Sequence, residues 1–269
     1  MATFHCIDRQ HQKWGGFAKL MLGLGESAAC RFPHETIAVS RALQKYCQYR
    51  FDRETAYIPN GVRTNDKKIS ARILKQYGLE KDNYIFAASR LVQHKGIHTL
   101  IAAYNRLGRT GKKLVIAGAG ANTSEYVARV KELAQGNQNI IFTGQKSGAD
   151  LEALFKNAYL FVQPSEAEGL SIALLEAMSY GVPVLVSNIE ENLEPLNGLG
   201  WEFKNKDIND LAKKLKFVLK HGDWIKAIAK KAKRHVDKNY NWDDIASQTV
   251  SLYRKPLPAK GKLILKEAK

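Results

Sequence analysis

The sequence predicts an α/β protein built on a doubly wound parallel sheet. Three observations carry that prediction. From Asp82 onward, short apolar runs of about five residues alternate with helical stretches. The runs are continuously apolar rather than alternating, as strands covered on both faces are. No apolar run reaches the roughly 18 residues that a membrane span needs.

The elements follow in order. "NYIFAAS" reads as a strand and "KGIHTLIAAYNRL" as the helix after it. "KLVIAG" precedes the helix "NTSEYVARVKELAQ", and "NIIFTG" precedes "SGADLEALFKNA". "YLFVQPS" precedes "LSIALLEAMSYG", and "VPVLVSN" and "GWEFKN" complete the strands. Two helices come next. Asp207 caps the first, whose inward stripe is Leu211, Leu215, Val218 and Leu219 and which Gly222 ends. Asp223 caps the second, with Ile225, Ala229, Ala232 and Val236 inward. A last helix starts in "NWDDIASQTVSLY". The first 75 residues read as part of an α/β domain: strands in "TFHCI", "TIAVS" and "AYIPNGV", and helices in "WGGFAKLMLGLGESAACR" and "SRALQKYCQYRF". Three short strands bury too little to stand alone. Gly78 and the polar "LEKDN" divide a partial N-terminal domain and linker (1–78) from a complete C-terminal domain (79–255). The last helix of the C-terminal domain is placed to return to the N-terminal part. Residues 256–269 form a basic tail.

Composition narrows the function classes. The 269 residues are 45% hydrophobic and 25% charged, a globular balance. The start "MATFHCIDRQHQ" lacks the basic and apolar regions of a signal peptide. Cys6, Cys30 and Cys47 form no CxxC pair, which points away from a zinc site or disulfide framework and toward a reduced, cytoplasmic setting. The net charge is +16, and Lys204–Lys269 holds 18 basic and 7 acidic residues. That excess suits an anionic membrane surface, phosphorylated ligands, or a plain solvated helix face. Nucleic acid fits less well, because aromatics do not interleave with the C-terminal lysines as a stacking platform would.

The candidate chemistry gathers at the carboxyl ends of the strands, where open α/β sheets bind ligands. In "PSEAEGLSIALLEAMSYGVPVLVS" a strand ends at Pro164, and the reading starts the next helix near Gly169 or Leu170. The unpaired N–H groups of a helix start favour an anion such as phosphate. Gly169 permits close approach, and Ser171 adds a hydroxyl. Glu168 in the loop and Glu176 two turns on lie roughly 80° apart around the axis. They are spaced to accept hydrogen bonds from hydroxyls at two ends of an extended ligand. They also fit a simpler role, one facing the helix dipole and the other a surface lysine. Glu166 reads as a surface acid. "ASRLVQHKG" places Arg90 and Lys95 at the same edge, where a diphosphate needs cations. "AGAGANT" is a weak dinucleotide fingerprint, read as a tight turn. His5 ends the first strand, as a structural histidine or as a base or donor facing the cleft.

Taken in order, "VSRALQKYC", "IPNGV", "SRLVQHKG", "LVIAGAG", "FTGQ", "EGLSIALLEAMSYGVPV" with its E-x7-E spacing, and "NWDDIASQTVSLY" resemble glycosyltransferase family 4 from about Thr3 to Tyr253. The resemblance implies a GT-B fold of two Rossmann-like domains and a retaining, metal-independent transfer. The sugar would pass from a nucleoside-diphosphate sugar to a glycan or lipid-linked acceptor, with no cofactor. It assigns Arg90 and Lys95 to the diphosphate and leaving group, and Glu168 to the donor sugar beside the Gly169 and Leu170 amides. Glu176 would hold the ribose, Gln145 would border the base, and His5 would lie near the reacting sugar. Measured against the family, the chain begins inside the acceptor-side domain, without its first strands and glycine-rich loop. It therefore also fits a donor-binding fragment or subunit that needs an N-terminal partner. "GLSIA" stands where many members carry "GFGLP". A lipid-linked acceptor adds to the cytoplasmic setting the expectation of peripheral contact with the inner face of the membrane.

Overall fold

The computed structural model describes residues 1–10, 14–63 and 72–255. The basic tail read at 256–269 lies outside the described residues. Two parallel sheets form the frame. The smaller orders its strands β1 (Ala2–Phe4), β2 (Thr36–Ala38) and β3 (Ala56–Tyr57) side by side. Helices α1 (Gly16–Arg31) and α2 (Arg41–Phe51) connect them.

The larger sheet contains β4 (Tyr84–Ala88), β5 (Lys113–Ala117), β6 (Ile140–Gly144), β7 (Leu160–Gln163), β8 (Val184–Ser187) and β9 (Trp201–Phe203). Their spatial order is β6-β5-β4-β7-β8-β9, all parallel. This is the doubly wound order whose direction reverses between the first and fourth strands, here β4 and β7. Strand residues Ile85, Phe86, Leu114, Val115, Leu160 and Phe161 are all fully buried, as continuous apolar strands require. Cores lie on both faces: Phe86, Phe155 and Phe161 pack on one, and Ile85, Leu100 and Leu215 on the other.

The helices between strands are α3 (Arg72–Gln76), α4 (Ile97–Asn105), α5 (Ser124–Ala134), α6 (Gly148–Lys156), α7 (Ile172–Ser179) and α8 (Glu190–Leu196). The short α3 and α8 were not anticipated from the sequence. Then come α9 (Ile208–Lys220), α10 (Gly222–Asn239) and α11 (Trp242–Tyr253). Asp207 caps α9, accepting from the N–H groups of Asn209 and Asp210. Leu211, Leu215 and Val218 are buried, as are Ile225, Ala229, Ala232 and Val236 of α10. The α9–α10 junction differs from expectation. Gly222 opens α10 rather than ending α9, and Asp223 lies inside its first turn. A single residue, His221, joins the two helices, so no room remains for a separate cap.

Helix α11 returns to the small sheet, where Ile245 and Leu252 pack with Ile37 and Ile58. The Val62 N–H donates to the Tyr240 carbonyl at 2.8 Å. On α1, Phe17, Leu20, Met21 and Leu24 recur at i, i+3, i+4 and i+7, yet all four are exposed.

Candidate active site at the sheet reversal

The chain leaving β4 and the chain leaving β7 meet at the reversal point, and small residues let them interlock. Gly96 follows the short 3-10 turn Gln93–Lys95 with φ +66°. A Cβ there would stand 1.9 Å from the Pro164 carbonyl oxygen, so only glycine allows the loops this close. The Glu166 N–H then donates to the His94 carbonyl at 2.7 Å.

This interlock brings Lys95 and Glu168 together. Lys95 Nζ donates to Glu168 Oε1 at 2.6 Å. Gln163 Nε2 donates to the same oxygen at 2.7 Å and to Ser165 Oγ at 2.8 Å. Behind them, Ser187 Oγ donates to the Ser165 carbonyl, and Asn192 Nδ2 donates to Ser187 Oγ at 2.9 Å. Glu168 is thus held by a cation, an amide and a buried polar chain, which restricts its rotamer. Gln163 was missed in the sequence reading. The signal was a polar residue inside "LFVQ", now 3% exposed.

The start of α7, at Ile172, lies two to three residues later than expected. Ser171 is its N-cap, and its Oγ accepts from the Leu174 N–H at 3.3 Å. That hydroxyl oxygen serves the helix, as N-cap serines do. Gly169 and Leu170 belong to the approach loop. The absent Cβ of Gly169 accommodates the His5 carbonyl, which a Cβ would meet at 1.6 Å. Asn60 Nδ2 donates to the Leu170 carbonyl at 3.2 Å. The end of β1 is therefore seated on the loop that carries Glu168. The His5 side chain is exposed. Next to it, burial and then Asp8 push the Cys6 thiol up to about 12, which keeps it protonated and a poor nucleophile.

At the same carboxyl edge of the sheet opens a cavity of about 380 Å³, which neither Lys95 nor Glu168 lines. It brings together Arg90 after β4, Gln145 after β6, and Glu176 on α7, with the Gly118–Ala121 turn as its floor. That turn is closed by Thr123, whose Oγ1 donates to the Leu91 carbonyl at 2.7 Å. Leu151, Phe155 and Ala173 make one wall apolar, and Lys146 adds a second cation. The size and lining suit a small organic ligand. Arg90 forms no ion pair among the described residues and is exposed. Glu176 likewise has no cation paired with it among the described residues, so the surface-lysine role is not realised. Burial, reinforced by the Glu152 carboxylate, pushes its carboxyl above the usual range. Glu176 also borders a second cavity of about 330 Å³ with Gly61, Val62, Arg63 and Trp242.

Glu166 is not the surface acid expected. Its side chain is 10% exposed, lies 3.2 Å from Lys206 Nζ, and sits 3.8 Å from His98 Nε2. The chain between Pro164 and Gly169 folds inward to meet the β4 loop, which carries Glu166 with it. Lys95 and Glu168 therefore form one cluster, while Arg90, Gln145 and Glu176 line a separate cavity at the same sheet edge.

Comparison with known proteins agrees with this architecture. The family model for glycosyl transferases group 1 matches residues 70–241. An uncharacterised glycosyltransferase of Methanocaldococcus jannaschii is 33% identical over 203 residues, covering 73% of this chain and 51% of the relative. A Mycobacterium tuberculosis glycogen synthase is 31% identical over 264 residues, covering 94% of this chain and 62% of the relative. The chain spans about half the length of the first curated relatives it matches. Among solved structures, Anabaena HepE in complex with UDP and glucose superposes with a TM-score of 0.82 at 22% identity, over 94% of this chain and 71% of that one. Sucrose-phosphate synthase from Thermosynechococcus elongatus gives 0.77 at 25% identity, over 94% and 66%. Both superpositions agree with a GT-B architecture. With the match to residues 70–241 covering most of the larger sheet and its crevice, the chain belongs to the glycosyl transferases group 1 family.

Proposed function

We propose that the crevice binds a nucleoside-diphosphate sugar and that the chain carries the donor half of a retaining, metal-independent sugar transfer to a glycan or lipid-linked acceptor. The observation that carries this reading is the convergence of Arg90, Gln145 and Glu176 on one cavity at the carboxyl edge that also carries the Lys95–Glu168 pair. Gln145 and the apolar wall flank the base, and Glu176 accepts from the ribose hydroxyls. Arg90 and Lys95 face the diphosphate. Negative charge grows on the diphosphate as the sugar–oxygen bond breaks, so fixed cations there lower the barrier more than they tighten ground-state binding. Those cations take the place of a metal. Glu168, steered by Gln163, contacts the sugar, and the Gly169 and Leu170 amides lie beside it. His5 stands at the seam where the acceptor arrives. HepE, which shares the fold, is solved in complex with UDP and with UDP-glucose, and that supports a ligand of this class.

A thermal-shift and calorimetric screen of UDP, GDP, ADP and their sugars tests this. Saturating nucleoside diphosphate raises Tm, and Arg90→Ala or Glu176→Ala removes the shift. No shift with any of them refutes the donor site.

A second reading rests on the exposed stripe Phe17, Leu20, Met21 and Leu24. Such an uncovered apolar helix face marks an interaction surface. On this reading the chain binds donor but transfers only with a partner polypeptide on α1. Donor binding without turnover, with turnover restored by a partner, distinguishes the two. Peripheral contact with an anionic membrane completes the proposal. No helix among the described residues is long and apolar enough to cross a membrane.

A further inference from the structure

Helices α9 and α10 carry ten lysines and arginines against three acids, Asp210, Asp223 and Asp237. Two of the acids are engaged: Asp210 accepts from the Lys204 N–H at 2.7 Å, and Asp237 pairs with Lys233 at 3.3 Å. The cations are not spread evenly. On α9, Lys213, Lys216, Phe217 and Lys220 fall at i, i+3, i+4 and i+7, all exposed, opposite the buried stripe of Leu211, Leu215 and Val218. On α10, Trp224, Lys231 and Lys238 recur at seven-residue spacing and are also exposed. None of Lys213, Lys216, Lys220, Lys231 or Lys238 pairs with a carboxylate among the described residues.

An aromatic cluster joins the two basic faces. Phe217 and Trp224 lie 5.9 Å apart edge to face, and Phe217 stacks on His221 at 4.3 Å. Trp201, the first residue of β9, braces Trp224 from beneath at 5.4 Å. Trp224 is 51% exposed and Phe217 39%. Large rings at a surface, ringed by unpaired lysines, match the two components of an anionic lipid interface. The rings enter the headgroup level while the cations meet phosphate.

We propose that the α9–α10 face docks the chain on an anionic lipid bilayer, with Trp224 and Phe217 as the inserted anchors. The aromatic anchors lie at the amino ends of the strands, against Trp201 at the start of β9, whereas Arg90 and Gln145 follow carboxyl ends; α10 then runs toward the other edge, where the Tyr240 carbonyl accepts from Val62. Lipid docking there leaves the crevice open. The inference names the surface behind the peripheral membrane contact proposed above, and it stands or falls independently of sugar transfer.

The test is sedimentation of the whole chain with vesicles of phosphatidylcholine alone and of phosphatidylcholine with phosphatidylglycerol. Binding is expected to the anionic vesicles and to fall with added salt. Lys213→Glu/Lys216→Glu/Lys220→Glu should weaken it by more than about a hundredfold, since each basic side chain near such a surface contributes about fivefold. Trp224→Ala should weaken it by about tenfold or more through the lost ring. A control of equal net charge, Arg50→Glu/Lys75→Glu/Lys131→Glu, should retain most of the binding. Circular dichroism and the nucleoside-diphosphate thermal shift report whether each variant is folded with its crevice intact, so a failed donor site is read separately. Absence of binding to anionic vesicles overturns the proposal. So does equal loss in the control, which would mean net charge alone. RNA homopolymer binding that outcompetes vesicles and falls with the same variants would assign the face to nucleic acid instead.

Discussion

Replacing Lys95 by methionine strands Glu168 and gives the ionic cluster a measurable cost. The two side chains are 16% and 7% exposed, and their atoms are 2.6 Å apart. Removing one partner of a buried pair costs about 3–5 kcal/mol. Two features of this site reduce that figure. Gln163 keeps its own bond to the same oxygen at 2.7 Å, and the 16% exposure of Lys95 lets water reach the pair. A loss of about 2–3 kcal/mol follows. For a chain of this size each kcal/mol moves Tm by about 2–4 °C, so Lys95→Met should lower it by about 4–12 °C. Differential scanning fluorimetry without ligand reads the change. Adding Glu168→Gln to Lys95→Met removes the stranded charge and should recover most of the loss. An unchanged Tm in the single variant, or no recovery in the double, refutes the account.

Three further outcomes follow from the packing and the charges. Glu176 has a raised carboxyl. It therefore binds more protons folded than unfolded in that window, and its contribution to stability falls as pH rises from the ordinary carboxylate range through its raised value. Glu176→Gln should remove that slope in pH-dependent unfolding and raise Tm at neutral pH, and a steeper slope counts against it. Gly169→Ala drives a methyl into the His5 carbonyl, where backbone rather than a flexible side chain must move, and should cost about 3 kcal/mol or more. A wild-type Tm would show that the β1 end is not seated there. Glu166→Ala removes a pair whose Lys206 partner is 59% exposed, so chemical denaturation should register a loss below about 1 kcal/mol.

What the sequence made legible was what repeats locally. The apolar strands, the Asp207 cap, and the stripe Ile225, Ala229, Ala232 and Val236 each depend on residues within a turn or two, and all stand as read. Misreadings arose where distant segments meet. Lys95 and Glu168 are 73 positions apart, so no local pattern signals that each is the other's partner. Glu166 looked solvent-facing because its burial comes from the β4 loop, far away in the chain. Gly169 carries a packing constraint that no local pattern signals, because the carbonyl it accommodates belongs to residue 5. The start of α7 slipped by two to three residues because "EGLS" offers more than one opening, and only the bond from Leu174 N–H to Ser171 Oγ selects one.

The two acids of the E-x7-E segment sit in opposite electrostatic conditions, and that contrast orders what a diphosphate would do. Glu168 is paired with Lys95, while Glu176 is desolvated beside another carboxylate. An arriving diphosphate therefore competes with Glu168 for the Lys95 ammonium. A hydroxyl donor reaching Glu176, by contrast, meets an acceptor that has no cation to give up. Removing the Glu168 charge should free Lys95 for the ligand, an effect of about 1 kcal/mol for a partly solvated pair, or about fivefold in Kd. Glu168→Gln should thus bind the free nucleoside diphosphate more tightly at low salt, even where it transfers sugar poorly, while Glu176→Gln binds it more weakly. Calorimetry with the preferred diphosphate separates the two variants. Weaker binding by Glu168→Gln would mean that Lys95 positions the carboxylate for the sugar and does not itself reach the phosphates.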